Sequence, residues 1–143
     1  MQLTLTGEYA IRAMIYIAAK PFGTNFTIGE IAKENKIPDK FLRKILPQLC
    51  TNGLLDSQRG RGGGIKLKVS ADQITPLQIV QAIEGEMALN KCIIDNDFCS
   101  DLRWCSMHIL WAEAQKNLKT VLSSKTIGEL AKSSEERRIN WMR

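Results

Sequence analysis

Ala10, Ala13, Met14, Ile17 and Ala18 recur at intervals of three and four residues, the spacing that gathers side chains on one face of an α-helix. The pattern predicts an amphipathic helix from Gly7 to Lys20, ended near Pro21 and Gly23. Thr27 stands three residues before Glu30, the spacing of a capping box, in which each side chain satisfies an orphan amide of the other. A short helix over Ile28 to Asn35 follows, then a turn at Lys36, Ile37 and Pro38. From Asp39, Phe41, Leu42, Ile45, Leu46 and Leu49 form one apolar stripe, with Lys40, Arg43, Lys44 and Gln48 on the opposite face. Pro47 shares that outer face and is expected to remove one helical hydrogen bond and kink the last turn, leaving the first two turns intact. Asn52 and Gly53 end the helix.

Leu54–Arg59 and Ile65–Val69 read as two short strands joined by Gly60-Arg61-Gly62-Gly63-Gly64. Pro76 opens a helix to about Glu84. Residues 90–105 have no clear period and read as a loop. Met107, Leu110, Ala114, Leu118 and Val121 then mark a long helix from Ser106 to Ser124 that buries one stripe. Such a stripe on a lone helix faces water, so the helix is expected to dimerise. Thr126 and Glu129 repeat the capping box, and Ser133 to Arg143 are polar and expected to fray. The fold class is mainly α with a small β wing. Residues 1–84 form a winged helix-turn-helix domain, 85–105 a cysteine-rich loop, 106–130 a dimerisation helix with a short following helix, and 131–143 a polar tail.

Charge sharpens this reading. The chain of 143 residues carries a net charge of +5, but residues 1–70 hold eleven Lys and Arg against five Asp and Glu, whereas the remainder is close to neutral. A basic half containing a helix pair and a hairpin points to a polyanion, and double-stranded DNA suits the geometry. Arg59 and Arg61 at the hairpin reach phosphates or a narrow minor groove, and the glycines allow close backbone approach. The candidate DNA contacts are Thr27, Pro38, Lys40, Phe41, Arg43 and Lys44 on the helix pair, and Arg59, Arg61 and Gly62 on the wing. A nucleotide-binding glycine loop is disfavoured, since no Gly-Lys-Ser/Thr follows and no helix opens after it. No segment approaches the length of a membrane span and the N-terminal apolar run is broken by Glu8 and Arg12, so the expected location is cytoplasmic, with no membrane partner.

In a reducing compartment the four cysteines are expected to be metal ligands, redox groups or core residues. Cys92, Cys99 and Cys105 have six and five residues between them, and His108 follows Cys105 by three. Thiolates with one imidazole suit zinc or an iron–sulfur cluster, and these wide gaps are unlike the tight pairs of structural zinc. Asp95, Asp97 and Asp101 keep the loop solvated. Cys50, beside Leu49, reads as a small core residue. One histidine, no nucleophile–base pair and no cofactor fingerprint argue against an enzyme.

Taken in order, Leu3-Thr-Leu-Thr-Gly-Glu-Tyr-Ala-Ile-Arg, Ile28-Gly-Glu-Ile-Ala, Ile37-Pro-Asp-Lys-Phe-Leu, Asn52-Gly-Leu-Leu, Arg59-Gly-Arg-Gly-Gly-Gly, the three cysteines and Thr126-Ile-Gly-Glu-Leu resemble the Rrf family of winged-helix transcription regulators, in its iron–sulfur branch. The resemblance runs from Leu3 to about Leu130, with a first cysteine gap one residue longer than in cluster-binding members. It implies a homodimer with swapped long helices, operator reading by the second helix and the wing, and a 2Fe–2S or 4Fe–4S cluster on Cys92, Cys99 and Cys105. The fourth ligand is expected to be His108 or Glu8 of the partner chain, with His108 favoured for its spacing from Cys105. The implied function is a repressor whose operator binding is gated by the cluster as a sensor of iron, redox state or nitric oxide. A zinc or thiol switch in the same site, or a cluster-free repressor that senses a small molecule, are the alternatives.

Overall fold

The hydroxyl of Thr4 accepts a hydrogen bond from the Gly7 amide at 3.1 Å and starts α1 (Leu5–Ala18) two residues earlier than the apolar periodicity indicates. The computed structural model describes residues 3–142; Met1 and Gln2 of the reading domain and Arg143 of the tail lie outside the described residues. Ala10, Ala13, Met14 and Ile17 are fully buried, and α1 is the central helix on which α2 (Ile28–Asn35), α3 (Asp39–Thr51), α4 (Pro76–Glu84) and α6 (Ile127–Trp141) pack. The capping box at Thr27 and Glu30 is formed from both sides, and α2 has the predicted limits. Lys36 takes the left-handed conformation (φ 53°) that ends α2 and turns the chain into α3.

Leu42, Ile45, Leu46 and Leu49 of α3 are buried as the stripe predicts. The helix continues past Pro47 to Thr51, with Leu49 fully buried beyond the proline, so the missing amide does not end it. The strands are one or two residues shorter than expected: β1 (Leu55–Gln58) pairs antiparallel with β2 (Gly64–Leu67), with Leu55 opposite Leu67 and Gln58 opposite Gly64. Phe26 adds a bridge to Ile65 through two backbone hydrogen bonds of 2.8 Å, so the segment entering α2 lies against the wing.

After α4, a single 3-10 turn at Lys91–Ile93 interrupts the loop, and α5 (Ser106–Ser123) runs back along α4. The expected stripe of α5 is not what this chain buries. Met107, Leu110 and Val121 are 46%, 54% and 66% exposed, and Gln115 is the one buried polar side chain among the described residues. The tail also differs from expectation. The capping box at Thr126 and Glu129 starts α6, Ile127 and Ala131 bury against the core, and the helix reaches Trp141 where fraying was expected. Its polar residues are mostly strong helix formers, and a fixed first turn removes the nucleation cost. The bond from the Thr126 amide holds the Glu129 carboxyl below its usual range. Among the described residues no helix is long and apolar enough to cross a membrane.

Candidate nucleic-acid interface and cysteine site

The two helices and the wing present a common outer surface built by their buried counterparts. Lys40, Arg43 and Lys44 are exposed on α3, opposite the buried stripe. Arg43 is held by Asp39 one turn back at 3.7 Å, an exposed pair that DNA phosphates can replace at little cost. Phe41 is half-buried: its ring packs edge-on against Tyr9 at 5.1 Å, and the Lys40 ammonium lies 5.4 Å above it. The aromatic ring therefore braces α3 and aims Lys40. Pro38 holds the N-cap position of α3 and the Thr27 hydroxyl accepts from the Glu30 amide, so both exposed residues stand at helix N-termini.

At the wing, Arg59 and Arg61 are exposed, and Arg61 sits between Gly60 (φ 95°) and Gly62 (φ 70°), a left-handed pair that only glycine adopts without strain. Asn25 Nδ2 donates to the Gly62 carbonyl at 3.2 Å. Together with the Phe26–Ile65 bridge this fastens the wing tip to the chain entering α2, two residues before its cap. Sequence reading missed Asn25, because a lone asparagine in a loop carries no spacing signal. We predict that Asn25→Ala keeps the fold but weakens operator binding about three- to tenfold, the effect of losing one hydrogen bond that orders a contact loop. Fluorescence anisotropy with labelled operator checks it, and unaltered affinity removes Asn25 from the interface.

The cysteine loop brings two of the four candidate ligands together. Cys92, in the 3-10 turn, is buried, and His108 Nδ1 lies 3.5 Å from its Sγ. Cys105 caps α5, and the His108 amide donates to its carbonyl at 3.1 Å. Cys105 and Cys99 are half-buried and form no disulfide. Among the described residues no three His, Cys, Asp or Glu groups stand close enough to hold one metal ion. The donor set nevertheless fits an iron–sulfur cluster in kind, because three thiols and an imidazole occupy one loop and helix start, with one thiol–imidazole pair already in contact. Glu8 lies elsewhere, exposed on α1 and paired with Arg12 at 3.9 Å. The Arg12 guanidinium also donates to the Asn35 carbonyl at the end of α2. Cys50 is half-buried at the end of α3; burial, and then the Asp56 carboxylate, push its thiol pKa up, so it is a poor nucleophile at neutral pH.

The Rrf2 family model, described as an iron-dependent transcriptional regulator, matches residues 3–133. The HTH-type transcriptional regulator IscR of Vibrio atlanticus is 30% identical over 135 residues, covering 94% of this chain and 78% of that protein. Among solved structures, CymR of B. subtilis, described as its global cysteine regulator, superposes with a TM-score of 0.75 at 27% identity, over 93% of this chain and 98% of that one. The IscR of T. potens has the same fold, with a TM-score of 0.77 at 23% identity, over 96% of this chain and 90% of that one.

Proposed function

The chain belongs to the Rrf2 family of iron-dependent transcriptional regulators, and on that premise we propose that it is a homodimeric repressor gated by an iron–sulfur cluster on Cys92, Cys99, Cys105 and His108. The family consists of DNA-binding regulators, not enzymes. Residues up to Glu84 read the operator, residues 85–105 supply the three cysteines of the cluster site, and α5 supplies His108 and forms the dimer contact. The observation that carries the proposal is the contact of 3.5 Å between His108 and Cys92, which joins the start of α5 to the cysteine loop.

When bound, the cluster supplies a redox-active centre open to oxidants and nitric oxide. The chain's own residues do the rest. Cys92 and His108 join the loop to the first turn of α5, and the Cys105 carbonyl accepts from the His108 amide in that same turn, so ordering or releasing the cysteines changes how α5 begins. In a dimer formed along α5, the start of that helix sets the separation of the two copies of α3, and operator affinity depends on that separation. Lys40, Lys44, Arg59 and Arg61 meet phosphates, and Arg43 exchanges Asp39 for DNA.

The test is anaerobic purification, with visible spectrum, iron and sulfide content, and operator affinity before and after the iron is removed. Visible absorption with matched iron and sulfide, and an affinity that changes on stripping, support the proposal; colourless protein with unchanged affinity overturns it. A second reading, a thiol switch at the same place, is favoured by the closeness of Cys92 to His108, whose ring lies within hydrogen-bond reach of the sulfur. Iron-free protein whose operator affinity responds to a thiol oxidant selects it. We also predict that Arg59→Ala weakens operator binding about tenfold or more at low salt and lowers the salt slope by about one, the signature of a lost phosphate contact. Titrations of parent and variant at several salt concentrations check this, and an unchanged slope removes Arg59 from the phosphate contacts.

A further inference from the structure

Between α4 and the cysteine loop the chain lines a groove of about 420 Å³, together with Ile11 of α1 and Leu118 and Leu122 of α5. This short segment is fastened at both ends by side chains that the DNA-reading surface and the cysteine site leave unexplained.

At one end, Glu84, the last residue of α4, accepts from the Thr4 amide at 3.1 Å and from the Thr4 hydroxyl at 2.8 Å. That hydroxyl also caps Gly7, so Glu84 holds the residue on which the first turn of α1 is built. The approach is close enough that a Cβ at Gly7 collides with the Glu84 carboxylate. At the other end, Gln115 on α5 is 5% exposed, and both ends of its amide are used. Its oxygen accepts from the Leu89 amide at 3.0 Å, and its nitrogen donates to the Met87 carbonyl. Glu86 adds an ion pair with Lys119, also on α5, at 3.9 Å.

Gln115 follows His108 by seven residues, two helical turns on the same face, so the residue that touches Cys92 and the residue that grips this segment lie in line on α5. A buried amide with both ends bonded is costly to displace, because parting it from the segment leaves that buried amide and two part-buried backbone groups unpaired. When α5 shifts, the segment therefore moves with it. The segment is only a few residues long, and its far end is Glu84. We propose that Gln115 and Glu84 are positioning residues that make residues 84–90 a strap, through which a displacement of α5 at the cysteine end reaches the N-terminus of α1, the central helix of the reading domain.

The sense of the signal rests on the function proposed above, but the mechanical link does not, and the experiment separates them. Amide hydrogen exchange is followed in the full chain stripped of iron, and in its Gln115→Leu and Glu84→Ala variants. Gln115 is bonded to the strap and not to α1, yet Gln115→Leu is expected to speed exchange at Thr4, Gly7 and Glu8 about fivefold or more as well as at Leu89, because the amides share one opening unit. Glu84→Ala is expected to act in the reverse direction, speeding exchange at Leu89. Exchange that rises only next to each substitution overturns the strap. Should Gln115→Leu not fold, the exposed Glu84→Ala decides alone through its effect at Leu89. Operator affinity of the parent and Glu84→Ala, each with and without iron, gives the second arm. Coupled exchange with a parent that holds no iron keeps the strap and removes the cluster reading, whereas an iron-dependent affinity that survives Glu84→Ala, with no coupled exchange, keeps the cluster and removes the strap.

Discussion

Replacing Leu110 and Val121 together by glutamate is expected to turn the proposed dimer into a folded monomer and to weaken operator binding about a hundredfold or more, the scale of a lost second attachment point. Both side chains lie on the α5 stripe, 54% and 66% exposed in the single chain, so two carboxylates there cost the isolated fold little. Met107, 46% exposed, extends the stripe towards the cysteine loop. Exposed apolar residues in line along a helix of 18 residues are unusual on a chain that works alone. A second copy laid along it removes the stripe from water, and two symmetric copies of α3 then meet half-sites about one DNA turn apart. Light scattering at micromolar concentration reads the mass, circular dichroism the fold and anisotropy the operator affinity. A variant that stays dimeric, or a parent that is monomeric, removes α5 from the interface.

The elements most legible in the sequence are those whose cause is local. The Thr27–Glu30 box, the Lys36–Pro38 turn and the α3 stripe each need only a few neighbours, and they stand where the pattern puts them. What escaped depends on partners distant in the chain. Gln115 looks like a solvated helix position, and only Met87 and Leu89, more than twenty-five residues earlier, make its burial tolerable. Asn25 and Phe26 carry no alternation of their own, yet they hold the wing. The α5 stripe was readable as apolar, but the pattern does not say whether a helix turns that face to its own chain or to another. Polar composition misled at the other end of the chain, where a capping box and three buried residues, Ile127, Gly128 and Ala131, anchor α6, which runs to Trp141. At the site, the Cys105–His108 spacing was visible, whereas the contact of His108 with Cys92 arises only when the 3-10 turn packs against α5.

That contact bears on the fourth ligand of the proposed cluster, for which His108 and Glu8 are both candidates. His108 is half-buried, with its ring within hydrogen-bond reach of one proposed ligand and its amide bonded to the carbonyl of another. Glu8 is exposed and engaged by Arg12, and using it as a ligand releases a guanidinium that also ties α1 to the end of α2. A carboxylate is in addition a harder ligand than imidazole and matches iron–sulfur chemistry less well. His108→Ala is therefore expected to shift the visible spectrum of anaerobically purified protein and to shorten the lifetime of the cluster in air about tenfold or more, the scale on which metal sites respond to loss of a supporting group. Glu8→Ala is expected to keep the parent spectrum and lifetime. Its effect falls instead on the Arg12 contact, as a small loss of thermal stability. Spectra and decay traces of the two variants, recorded beside the parent, decide the matter: a parent-like His108→Ala with an altered Glu8→Ala transfers the ligand to Glu8 and places the cluster between two subunits.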